Sequence, residues 1–323
     1  MRLFRRLLVC VLMSFCTEAI GGAAALSPGA PVPEFAGIAG WLNSPPLSMA
    51  SLHGKVVLVD FWAYSCINCI RALPHVEHLY QAYKDKGLVV VGVHTPEFDF
   101  EANPANVQAA VQRLGITYPV AMDSHGDTWN AWHNQFWPAE YLIDQNGRLL
   151  GHHYGEGAYD AMENAVRALL GLGPLPAGTG GTGQVAAADD TPELHLGSAT
   201  QSGLDSSEAS GGSNGVHHFS APVQPAANNY ALNGVWQITD EYAQLAGRQG
   251  EIRLRFKAAK VYVVASAVQP VTLQVMVDGK PQPAVTVHGS QLYTLYDGAA
   301  DGEHVLVLHV PQKGLQVYSF TFG

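Results

Sequence analysis

Between residues 55 and 170, continuous apolar runs alternate with stretches whose apolar positions recur every three or four residues. KVVLVDFWA (55–63) and LVVVGVHT (88–95) are Val-rich runs, the pattern of strands covered on both faces. Between them Ile67, Ile70, Leu73, Val76, Leu79 and Tyr83 fall at helical spacing and predict a helix through about Asp85, ended by Gly87. Two such strands with a crossover helix make a parallel βαβ unit. ANVQAAVQRLG (105–115) predicts another helix, with Val107, Ala110, Val111 and Leu114 on one face. A short strand is expected near Tyr118 to Met122 and a helix near Thr128 to Phe136. EYLID and RLLGHHYG flank Gln145-Asn146-Gly147, a hairpin signal, and Tyr159 to Leu170 closes the unit as a helix.

Periodicity stops at GLGPLPAGTGGTGQVAAADD (171–190), whose Gly, Ala and Pro content predicts a flexible linker. A second loose stretch, roughly 198–229, is rich in Ser, Gly, Asn and Ala. Beyond it the period is two: EIRLRFKA, KVYVVASA, VTLQVMVDGK, PAVTVHG, HVLVLHV and LQVYSFTFG, with Asp-Gly turns at 278–279, 297–298 and 301–302. That pattern predicts a β-sandwich. The chain of 323 residues thus divides into an α/β domain (26–172), a linker (173–190) and an all-β domain (191–323).

The first 25 residues read as an export signal. Arg2, Arg5 and Arg6 are followed by the apolar Leu7–Phe15 and the small-residue zone Gly21 to Ala25. The apolar run is too short to span a bilayer, and Glu18 interrupts its extension. A periplasmic or secreted protein is therefore expected. The formal charge of -10 argues against nucleic acid or an anionic membrane as partner. Removing the leader removes Cys10 and Cys16 and leaves Cys66 and Cys69 as the remaining thiols. One closely spaced pair does not staple a fold, which takes bridges that close long loops.

Cys66 and Cys69 lie three apart at the start of the first predicted helix. The first sits where unpaired N–H groups and the helix dipole favour a thiolate, and the second is one turn deeper, placed to resolve a mixed disulfide. A zinc site from Cys66, Cys69, His75 and His78 is the sharpest rival. Cys66 and His78 are more than three turns apart on one helix, so both His are expected on the helix surface and no metal is expected. A thiol peroxidase of the peroxiredoxin type lacks its P-x-x-x-T run here, although Ser65 precedes Cys66.

VDFWAYSCINCIRALP resembles the active site of the thioredoxin superfamily, in its exported branch. The resemblance implies a thioredoxin fold and four site positions. Asp60, six before Cys66, takes the place of the buried Asp that handles the resolving thiol's proton. Trp62 fills the family's aromatic position, Pro74 matches the Pro that kinks the active-site helix, and Pro138 falls where the family carries a cis-proline. Trp62, Trp137 and Pro138 are then expected to contact substrate. Glu97 in HTPEF resembles an acid found near the cysteines of some exported reductases, with an exposed loop acid as the alternative; Glu140 has a weaker case.

A narrower resemblance covers most of the chain. SCINCIRALPHVEHLY, GVHTPEFDFE, FWPAEYLID, TPELHLG and GLQVYSFTFG are similar to the thioredoxin-like domain of DipZ-type proteins and the carbohydrate-binding-module-like, jelly-roll-like sandwich that follows it. Two departures stand out. Such proteins carry a multi-helix membrane electron-transfer domain, absent from this sequence, so a separate donor or acceptor, such as a membrane thiol–disulfide transporter, is implied. No counterpart is evident of the Lys that neighbours the buried Asp in ordinary thioredoxins. The expected function is thiol–disulfide exchange with exported proteins, without a cofactor. The competing class is a non-catalytic binding module with a structural disulfide. Trp236, Tyr262, Tyr293, Tyr296 and Tyr318 invite carbohydrate as a ligand of the sandwich, but aromatics at alternating strand positions are more often core.

Overall fold

The computed structural model describes residues 26–176, 183, 185–206 and 212–323. The expected leader (1–25) and most of the expected linker's Gly-rich part (177–182 and 184) lie outside the described residues. The first domain runs β1 (Gly40–Leu42), β2 (Val56–Trp62), α1 (Ile67–Tyr83), β3 (Leu88–His94), α2 (Pro104–Leu114), β4 (Val120–Met122), α3 (Asp127–Ala131), β5 (Ala139–Ile143), β6 (Leu149–Tyr154) and α4 (Tyr159–Leu169). Its sheet has the order β1-β4-β3-β2-β5-β6. Strands β2, β3 and β4 are parallel; β5 and β6 continue antiparallel from β2, and β1 is antiparallel to β4. This is a thioredoxin fold.

All seven residues of β2 are buried, and strand alternation sorts them. Val57, Val59 and Phe61 pack with Trp132 and Tyr141 on one face of the sheet. Val56, Leu58 and Trp62 face the core built with α1, α2 and α4, and Asp60 shares their side by the same period. Helix α1 ends two residues earlier than expected, passing into a turn of 3-10 helix at Lys84–Lys86 that Gly87 closes at φ 107. Its inward stripe runs through Cys69, Leu73, Val76, Leu79 and Tyr83, while Ile70 is only half-buried. Helix α3 is five residues long, much shorter than expected, because the backbone turns left-handed at His133 (φ 53). Strand β1, which pairs the sheet edge through Gly40, Trp41 and Leu42, carries no alternation that marks it in sequence.

The second domain runs β7 (Leu194–His195), β8 (Gly215–Phe219), β9 (Asn229–Ile238), β10 (Ala243–Leu245), β11 (Gly250–Lys257), β12 (Lys260–Val277), β13 (Lys280–Pro281), β14 (Val285–Asp297), β15 (Glu303–Val310) and β16 (Gln316–Phe322). It is all-β, as the alternation predicts. KVYVVASA and VTLQVMV are one strand, however, bent by a register shift between Ala267 and Val271. β14 pairs along most of β12, from Lys260 to Leu273, β16 pairs with its first part, and β13 and β15 with its last. The ring β12-β15-β11-β9-β10-β16 therefore closes on itself, and the sandwich is barrel-like. The loose stretch before it contains β8, which lies along β9. Both residues of the Asp278-Gly279 turn have positive φ, as its two-residue hairpin requires.

The domains pack directly on each other. Phe98 and Phe100, after β3, meet the Tyr318 ring at 5.1 and 4.8 Å. Arg71 of α1 donates to the Phe322 carbonyl at 3.0 Å and to the Glu156 carboxylate at 2.6 Å, and both side chains are almost fully buried. Glu156 in turn accepts the Ala186 N–H from the segment that leads to the sandwich.

Candidate active site

The chain leaves β2 at Trp62, crosses Ala63 to Ser65 and enters α1 with Cys66 as its N-cap. Cys66 has extended φ/ψ (-72, 113), and its Sγ accepts the Cys69 N–H at 3.3 Å. The sulfur therefore lies among the unpaired N–H groups of the first turn, where negative charge is stabilised. Both thiols are free. Cys66 is partly exposed and Cys69 is 1% exposed, so the first is open to a partner and the second is not. Burial, then the hydrogen bond and charge of Cys66, push the Cys69 thiol well above its ordinary value.

Asp60 lies on the α1 face of β2, fully buried, with Oδ1 lacking a hydrogen-bond partner. Burial pushes its carboxyl up to about 7, and its charge raises the Cys69 thiol in turn. Glu140 sits opposite Asp60 in the β2–β5 register, is equally buried, and is pushed up to about 8 by burial and by the Asp60 charge. In the sequence Glu140 stands two residues past Pro138, a place that does not reveal the register. The structure makes the two acids a pair.

Trp62 is buried at 0% exposure, with its ring edge-on to His94 at 5.0 Å. It offers no surface to a substrate, which corrects the expected contact; its place is under the sheet, against Gly92 and Tyr118. The Trp137–Pro138 peptide is cis, as the resemblance implies. The half-buried Trp137 packs at a tilt against Trp129, with ring centroids 4.1 Å apart, and donates its indole N–H to the Thr95 carbonyl, which fixes the ring beside the end of β3. Pro74 lies inside α1. His75 is not on the helix surface, as expected, but fully buried against Tyr159 at 4.8 Å, because its position faces α4. His78 is 38% exposed.

Glu97 is half-buried rather than a free loop acid, and burial, then the charges of Glu193 and Cys66, hold its carboxyl well above the usual range. Glu101, which ends the GVHTPEFDFE stretch but carries no expected role, is fully buried and accepts N–H bonds from Ser65, Glu97 and Phe98 and the Ser65 hydroxyl. One carboxylate thus joins the loop before Cys66 to the loop that carries Glu97. Beside Cys66 a cavity of about 310 Å³ is walled by Asn68 and Arg71 on one side and by Asp190, Glu193 and Phe322 on the other. The sandwich is therefore a wall of the site.

Four of the five aromatics that invited a carbohydrate reading are placed in cores or in the domain interface, and Tyr262 is half-buried on β12. Trp236 is core, Tyr318 is in the domain interface, and Tyr293 and Tyr296 pack against the sandwich core. A cavity of about 550 Å³ in the sandwich is lined by His218, Asn233, Glu251 and His309, with no Trp, Tyr or Phe in its wall.

Residues 27–170 match the family described as Redoxin, and residues 191–323 the family described as thioredoxin like C-terminal domain. Protein DipZ of Mycobacterium tuberculosis is 41% identical over 322 residues, covering 96% of this chain and 45% of that protein, so the chain spans less than half the length of this relative. Thiol-disulfide oxidoreductase YkuV of Bacillus subtilis is 31% identical over 140 residues, 43% of this chain and 94% of its own. Among solved structures, a thioredoxin-like protein in its oxidised form is 32% identical, covering 44% of this chain and 95% of its own, at a TM-score of 0.41. No helix among the described residues is long and apolar enough to cross a membrane. With a buried and an open thiol one helical turn apart on this sheet, and a relative matched over nearly its whole length, the chain belongs to the thioredoxin-like family of thiol–disulfide oxidoreductases.

Proposed function

We propose that this protein is an exported thiol–disulfide oxidoreductase in which Cys66 exchanges with protein partners and Cys69 resolves the intermediate. The observation that carries this reading is the asymmetry of the pair: Cys66 caps α1 and is partly exposed, and Cys69 is buried within reach of the charge of Asp60, whose Oδ1 has no hydrogen-bond partner. In the reducing direction the Cys66 thiolate attacks a partner disulfide, one sulfur of which leaves as a thiolate and takes up a proton. Cys69 then loses its proton to Asp60, and its sulfur attacks Cys66. The second partner thiolate leaves, and a Cys66–Cys69 disulfide remains. Two electrons pass to the partner, and a separate dithiol protein must return them. Asp60 suits the proton step because burial places its pKa near neutrality, where it can both take and release a proton.

Cys69→Ser tests the reading, because a mixed disulfide on Cys66 then cannot be resolved. The expected outcome is covalent capture of exported proteins, released by reductant and lost in Cys66→Ser. Absence of any reductant-sensitive adduct, with the folded variant present, would overturn it.

A further inference from the structure

We propose that Glu193 of the sandwich is a further catalytic residue for the exchange reaction: facing Glu97 across the domain boundary, it forms with it a carboxyl pair that holds one proton beside Cys66. This inference rests on the exchange reading above. Glu193 precedes β7, the two-residue strand that Leu194 and His195 form on β16 opposite Phe320 and Ser319. That pairing fixes its backbone at the edge of the sandwich nearest α1. Its carboxylate, the Glu97 carboxylate and a His195 ring nitrogen all lie within 4.8 Å of one another. Glu193 and Cys66 line the same cavity. On the other side, Glu97, Trp137 and His195 line an adjoining cavity of about 450 Å³. The cluster thus stands between the cavity that Cys66 lines and a second one beyond it.

Two carboxylates this close repel, so they titrate as a unit with one macroscopic pKa raised. A thiolate at Cys66 adds a second negative charge beside the singly protonated pair and strengthens the hold on the shared proton. The other groups facing the pair are Glu101 and Cys66 from the thioredoxin domain and His195 and Ser319 from the sandwich, with Arg71 and Glu241 in the adjoining cavity walls. Arg71 is bound to Glu156 and does not neutralise the pair. Burial pushes both carboxyls up and the Glu193 charge adds to the rise at Glu97, while at Glu193, which keeps part of its side chain in solvent, the His195 charge opposes the rise. During exchange the pair supplies its proton to the first partner thiolate that leaves, while the Cys69 proton reaches the second through Asp60. The reduced protein thus gives up two electrons and two protons, and the partner disulfide becomes two thiols.

The test is the pH dependence of Cys66 alkylation by iodoacetamide in the reduced full-length protein, followed by mass spectrometry. The unmodified protein should show two inflections, one from the thiol and one from the pair. Glu193→Gln should keep both but move the carboxyl inflection down by about one pH unit, because Glu97 then titrates without that negative neighbour. Glu193→Asp should restore its position. A Glu193→Gln profile that superimposes on the unmodified one would overturn the inference. Should that variant fail to fold, Glu193→Ser carries the same comparison at a side chain that is 37% exposed. Alkylation needs no partner disulfide, so failure of covalent capture leaves this test standing, and an unshifted profile leaves the exchange reading standing.

Discussion

Asp60 and Glu140 share one face of β2 and β5, and each keeps a buried oxygen without a hydrogen-bond partner. A carboxylate in that position is costly, so burial moves both titrations towards neutrality. In the unfolded chain the two groups titrate near 4. Folded, they titrate at about 7 and about 8. Across that window the native protein binds more protons than the unfolded one. The stability from these groups is full below about pH 4 and is lost as the pH rises through the folded values. Asp60→Asn and Glu140→Gln should therefore be more stable than the unmodified protein at alkaline pH, by on the order of 2–4 kcal/mol, and equal to it near pH 4. Urea unfolding of the reduced proteins across that range checks this, and parallel stability curves would exclude the buried pair. Asp60→Asn should also slow the resolving half-reaction, as read by stopped-flow with a model disulfide.

At the scale of elements, the site is a strand end, a helix start and one loop held at fixed spacing. Alternation along β2 aims Asp60 at α1, and the N-cap position of Cys66 sets its sulfur over the first turn. The loop after β3 has no ladder of its own, and Glu101 supplies the acceptors that its amides and the Ser65 amide need. Glu101→Ala leaves these N–H groups unpaired in a buried setting, at a cost of roughly 2–4 kcal/mol. Faster hydrogen exchange at the Ser65, Glu97 and Phe98 amides should accompany the loss, with the β2–β3 ladder unchanged. Unaltered exchange at those three amides would show that the loop is held by its aromatic packing instead.

Across the whole molecule, the two domains enclose the site rather than merely follow one another. Arg71 lies on the active-site helix yet donates to the last strand of the sandwich, and Glu156 ties it to the segment between the domains. Removing one partner of a buried pair leaves the other charge uncompensated, which typically costs about 3–5 kcal/mol. Arg71→Ala should lower the melting temperature and make the segment before Thr191 sensitive to protease, while the reverse pairing Arg71→Glu with Glu156→Arg should recover part of the loss. A melting curve unchanged by Arg71→Ala would remove this contact as the joint between domains.

The central strands and helices of the α/β part, the all-β character of the C-terminal part and the cysteine pair could be read from the sequence, and Asp60 and Glu97 were pointed to by the family resemblance. Local periodicity and N-cap chemistry act within a few residues of their cause. The closure of the sandwich through β12, the burial of Trp62 and His75, the facing of Asp60 by Glu140 and the meeting of Glu97 with Glu193 could not be read there. Each depends on strand register or on how one domain lies against the other, set by contacts between residues tens to hundreds of positions apart. Composition carries no record of that spacing. The sequence alone determined that a thiol pair opens a helix after a buried strand; tertiary packing decided which acids surround it, because only packing brings charges from separate strands and domains within a few ångströms.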